Sequence, residues 1–145
     1  MTQKLPIAIT VVSVQTDGEE RVETRQERVG TLYVRDGAQY MLYDDEGTAT
    51  TVRFEPEEIR LYRRGEVSSW QNFQLGELTG GMLSLGPSEM ILRIMTSHFR
   101  IIQTGATGLI ELHYELFTGE TADPAADLTA LGLGKFTLTF TWRLT

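Results

Sequence analysis

The chain has 145 residues, enough for one domain (residues 1–145) with a substantial buried core. Its 13 basic and 20 acidic residues give a net charge of −7, which opposes tight binding to nucleic acid or anionic membranes. It has no cysteine, so disulfides, thiol catalysis and thiolate metal sites are excluded, and a reducing compartment suits it.

The content of 41% hydrophobic and 23% charged residues is that of a soluble globular protein. Residues 1–14 show no signal-peptide cleavage pattern, and no segment approaches the roughly 20 apolar residues of a membrane helix. The expectation is a cytoplasmic protein without membrane insertion, monomeric or a small homo-oligomer.

In chain order, the first strand spans 5–15, with Leu5, Ile7, Ile9 and Val11 on one face, and Asp17-Gly18 marks a turn. Residues 19–29 are polar on both faces, which predicts an edge or splayed strand protected by its charges. Gly30 allows a bend, 31–35 continue as strand, and Asp36-Gly37 signals a tight hairpin returning through 38–44. Further strands are expected at 48–55, with Val52 and Phe54 sharing a face, at 59–63 and at 66–75. Gly80-Gly81 makes 77–85 less regular. The longest hydrophobic run is 90–102, and 109–117 places Ile110, Leu112, Tyr114 and Leu116 inward.

The clearest pattern closes the chain. Phe136, Leu138, Phe140, Trp142 and Leu144 alternate with Thr137, Thr139, Thr141, Arg143 and Thr145. About eight to ten strands with short connections predict an all-β, up-and-down antiparallel barrel. One segment breaks the rule. Asp123 as N-cap, Pro124 at the first helical position and Gly132 beyond the end predict a short helix over 124–131 that covers one mouth, with an irregular loop as the alternative.

From residue 30 onward the chain resembles the bacterial YwiB-like family of lipocalin-like, calycin-type barrels. The resemblance rests on Gly30 with Tyr33, Tyr43, the run Thr50-Thr51-Val52-Arg53, Leu61 with Arg63-Arg64-Gly65, Phe73, Gly76, Thr96, and Ile110 with Tyr114. It implies a closed antiparallel barrel and no established activity.

A barrel can enclose a ligand where side chains leave room. Arg63 shares its strand parity with Ile59 and Leu61 and therefore takes the inward register. A guanidinium there needs a carboxylate or an anionic ligand such as a fatty-acid head group, unless it reaches water at a strand end beside Gly65. Gln71, in phase with Phe73 and Leu75, is a second polar anchor, and Tyr43, Tyr114, Phe140 and Trp142 are expected to line the wall. Arg53 reads as solvent-facing, whereas Arg93 interrupts an apolar strand.

Glu111, His113 and Glu115 share one face of one strand, but that face is opposite the apolar one, and His98 is the only other histidine. No metal site, catalytic residue or cofactor is therefore expected. Gly132-Leu133-Gly134-Lys135 lacks the Ser or Thr of a phosphate loop, and no nucleophile elbow occurs. Arg60, Tyr62 and Arg64 could face nucleic acid, but the net charge favours pairing with acidic neighbours.

Two functions remain open. One is a carrier of a small apolar or amphipathic anionic ligand inside the barrel. The other is a solid-cored structural or protein-interaction module, favoured by large inward candidates such as Phe136, Met90 and Met95. An enzyme is not expected.

Overall fold

The computed structural model describes residues 3–118 and 131–145, and among these the alternating segments form ten strands. They are β1 (Leu5–Asp17), β2 (Glu20–Arg35), β3 (Ala38–Asp45), β4 (Thr48–Phe54), β5 (Ile59–Arg64), β6 (Val67–Phe73), β7 (Leu78–Leu85), β8 (Ser88–Thr104), β9 (Thr107–Thr118) and β10 (Leu131–Leu144). Each pairs antiparallel with its sequence neighbours, and β1 also pairs with β10 from Ile7↔Leu144 to Thr16↔Lys135, which closes the barrel. The all-β expectation and the upper end of the strand count hold.

The strand parities read from the sequence decide what is buried. Ile7 and Ile9, Val52 and Phe54, Ile59 and Leu61, and Ile110 and Leu112 are each at most 1% exposed. Phe73 and Phe140 are fully buried, and Trp142 packs against Phe54 with ring centroids 5.5 Å apart. The outer wall is built from the alternate residues, such as Thr10, Thr51, Arg53, Arg60, Thr139 and Thr141. This apolar-in, polar-out arrangement is the reverse of a lipid-facing barrel. No helix among the described residues is long and apolar enough to cross a membrane.

Several details depart from simple alternation. β2 pairs with β3 from Gly30 to Arg35, so residues 20–29 keep one edge unpaired among the described residues. Their alternating Glu and Arg side chains protect that edge, as the sequence predicted. Where β2 leaves β3, Arg28 Nη2 donates to Asp45 Oδ1 at 2.7 Å and holds the seam together. At the opposite rim, Gln39 on β3 and Gln103 on β8 exchange amide hydrogen bonds at 2.6 and 2.7 Å. Five steps of the strand order separate β3 from β8, so the β8–β9 hairpin crosses this base of the barrel, bringing Phe99 and Ile101 against the core.

Met90 and Met95 do not fill the interior. An odd spacing of five residues puts them on opposite faces of β8, and they are 39% and 37% exposed. β10 begins at Leu131 and carries a register shift between Gly132 and Gly134, so the strand starts earlier than the apolar alternation announces. The helix expected over 124–131 otherwise lies outside the described residues.

Gly108 shows how a core aromatic depends on its neighbour. Trp142 faces it across the β9–β10 ladder, and a Cβ at Gly108 would lie 2.0 Å from the indole ring. Replacing Gly108 by Ala is expected to overpack the core and cost about 1–3 kcal/mol. Gly80→Ala, where the nearest atom would be 3.7 Å away, should stay within about 0.5 kcal/mol of the parent. Urea denaturation of both variants checks this, and equal stability would contradict the position assigned to the Trp142 ring.

A candidate ligand site at the open mouth

The hairpin turns joining β3 to β4, β5 to β6 and β7 to β8 define the rim opposite the base. Just inside it, Tyr43, Thr50, Arg63 and Ser69 occupy directly opposed inward positions on β3, β4, β5 and β6. The turns explain the alignment. A hairpin centred on Glu46-Gly47 must put Tyr43 opposite Thr50, because each step from the centre advances one residue on both strands.

Among the described residues, this polar ladder is buried at Tyr43 and Thr50 and exposed at Arg63. Thr50 is 2% exposed and Tyr43 7%, and the Thr50 hydroxyl donates to the Thr48 carbonyl at 3.4 Å. Burial raises the Tyr43 phenol above its ordinary range, while the Arg63 charge pulls it back. Tyr114 reaches in from the far wall on β9, its ring 4.7 Å from Phe73 and 5.4 Å from Phe136. Burial pushes its pKa up to about 12, again opposed by Arg63. Arg63 itself is exposed and makes no ion pair among the described residues. It is a solvated cation above two buried phenols.

Arg63 and Ser69 also open onto a cleft of about 370 Å³ on the outer side of the rim, whose walls include Tyr62, Arg64, Trp70 and Met82. Tyr62, Trp70 and Met82 are directly opposed across β5, β6 and β7, which makes one continuous apolar wall beside two arginines. A larger cleft of about 860 Å³ follows the seam where β2 leaves β3. Its lining includes Glu27, Val29, Thr141 and Arg143, and its one inward-register cation, Arg28, is already paired with Asp45. The rim cleft has the more directed chemistry despite its smaller volume.

The other sequence candidates are distributed as follows. Gln71 is half-buried, one inward position below Ser69. Phe140 and Trp142 lie deeper, 0% and 4% exposed, and belong to the packed core rather than to the mouth. Arg53 faces outward and bonds Tyr40 Oη at 3.2 Å and Glu55 at 3.1 Å. Arg60 bonds Glu58 at 2.8 Å, the pairing with an acidic neighbour expected of it. Arg93 takes the outward register yet is only 8% exposed, and its Nη1 donates to the Leu92 carbonyl at 3.1 Å.

Sequence reasoning overlooked Thr50, Ser69 and Trp70 at the mouth. The turn centres would have supplied the first of them. It also separated His98 from His113, which the fold places side by side on the outer wall.

The family model described as a domain of unknown function (DUF1934) matches residues 9–129. Among solved structures, the ywiB protein from Bacillus subtilis is similar at 20% identity, with a TM-score of 0.81 over 98% of this chain and 93% of that one. At that identity the likeness is one of fold, and it agrees with the resemblance carried by Gly30, Tyr43, Arg63-Arg64-Gly65 and their companions. Neisserial surface protein A (NspA) aligns over 99% of this chain and 98% of that one at 11% identity, but a TM-score of 0.34 carries no argument. No curated protein matches.

The buried phenols make the mouth testable by pH. Tyr114 is raised from 10.0 to about 12 by burial, so the folded state holds its proton where the unfolded chain releases it. Its contribution to stability is fully present below about pH 10 and is lost as pH rises towards about 12. Arg63→Ala should shift ionisation of Tyr43 and Tyr114 to still higher pH, as read by phenolate absorbance. Unchanged titration would place Arg63 away from the ladder.

Proposed function

The chain belongs to the DUF1934 family, and from that premise we propose that it is a binding protein for a small amphipathic anion held at the barrel rim. The observation that carries this reading is Arg63, an inward-register cation without an ion pair among the described residues, shared by the polar ladder and the rim cleft. Arg63 and Arg64 supply charge for a carboxylate head group, with Ser69 as a neutral hydrogen-bond partner. Tyr62, Trp70 and Met82 offer the apolar wall for its body. A cleft of about 370 Å³ is of the size that small-ligand sites occupy.

We place the ligand at the rim rather than inside the barrel, a placement supported by the fully buried side chains of Phe54, Phe73 and Phe140. A fatty acid of medium length is the expected class. The reading includes a cytoplasmic location and a monomer or small homo-oligomer, and it invokes no catalytic step.

One observation favours a second reading. Tyr62 and Trp70 are 38% and 40% exposed on the outer wall of a filled barrel, as a protein-interaction surface would require. Binding of decanoate, followed by native mass spectrometry and titration, separates the two. Ligand binding predicts a retained small molecule and about tenfold to a hundredfold weaker decanoate binding in Arg63→Ala, the loss of one charged hydrogen-bond partner. A clean apo mass with no decanoate binding, or equal binding by the variant, overturns the anion site and leaves the interaction surface.

A further inference from the structure

A second constellation lies on the outer wall, away from the mouth. β8 pairs β9 with Thr96 opposite Tyr114 and then, after a register shift, His98 opposite His113. Before the shift, the even-numbered residues Leu92, Ile94 and Thr96 are buried; after it, the odd-numbered Phe99 and Ile101 pack against the core. The extra residue therefore rotates His98 from the inward to the outward side of the strand. The Ser97 hydroxyl donates to the His113 carbonyl at 3.3 Å across the shift. The bulge is what brings the only two histidines of the chain together.

Their rings lie 4.5 Å apart at 41°. Glu111, two residues before His113 and on the same face of β9, completes the group, its Oε1 accepting from His98 Nε2 at 2.7 Å. Arg100 is the direct cross-strand neighbour of Glu111, yet the close contact of the carboxylate is with the histidine. One ligating atom from each of His98, Glu111 and His113 lies within 4.8 Å of the others. Tetrahedral ligands about 2.0–2.2 Å from zinc are about 3.3–3.6 Å apart, so modest side-chain rotation converts this cluster into a coordination set.

We propose that His98, Glu111 and His113 form a binding site for a first-row divalent cation, with zinc as the expected occupant. Two imidazoles and one carboxylate match the borderline character of that ion, whereas calcium and magnesium prefer sites made of oxygen alone. Three protein ligands leave a fourth position for water or a donor from another molecule. The ligands stand on two hydrogen-bonded strands, a more rigid support than a loop. The site is independent of the rim cleft, because the two share no residue and its ligands stand on β8 and β9.

The test is calorimetric titration of the full chain with zinc, with native mass spectrometry to count the ions bound. One ion per chain is expected, with affinity at least about tenfold weaker in His113→Ala and in Glu111→Gln, since even outer-shell substitutions commonly cost that much. Glu115→Gln, the outward carboxylate next along β9, should bind like the parent. Circular dichroism confirms folding, and His98→Asn provides a second variant should His113→Ala misfold. Absence of zinc binding overturns the proposal. So does zinc binding that survives Glu111→Gln unchanged, which would reduce the site to an exposed histidine pair.

Discussion

The ladder between β1 and β10 is the constraint on which the rest of the molecule depends. Without it, the first and last strands would each present a long row of unpaired peptide groups, and the sheet could not enclose its apolar face. With it, the inward residues of ten strands converge on one core, and the alternate residues, largely Thr, Arg and Glu, make the outer wall. The long terminal strands are a consequence of the same closure. β1 must satisfy partners on both sides over most of its length, and the sequence supplies alternating Ile, Val and Thr to do so.

Closure of the strand order leaves the barrel with two ends, a base and a rim. The base is crossed by the β8–β9 hairpin and tied by the Gln39–Gln103 pair, and the middle is occupied by Phe54, Phe73, Phe140 and Trp142. At the rim, strands end and inward positions meet water. A cation that would be too costly in the middle of such a core is stable there, because its charge stays solvated while its stem lies against the barrel. Arg63 occurs at that boundary. Its field reaches the two buried phenols below it, and its head group opens onto the cleft beside Trp70.

Much of the fold was legible because a period of two is unambiguous over long strands. The run from Phe136 to Leu144 gave its buried face directly, and the charged stretch of β2 correctly read as an unpaired edge. Parity also placed Arg63 and Gln71 in the inward register. Parity alone gives no height along the barrel axis, so Phe140 and Trp142 were grouped with Arg63 although they lie deeper. The bulge after Thr96 was harder. It inverts parity within one strand, and the only sign in the sequence is that Leu92 and Ile94 hand over to Phe99 and Ile101 across an odd interval. That inversion turns His98 outward beside His113.

On the proposed function, a ligand meets the rim and leaves the buried core undisturbed. The chain has two tryptophans, Trp70 in the rim cleft and Trp142 in the core, so two indole N–H signals report on the two regions. Following both by NMR during titration with decanoate is the most direct measurement. The Trp70 signal is expected to move with saturation while that of Trp142 stays in place. Movement of Trp142, or of neither, would contradict it.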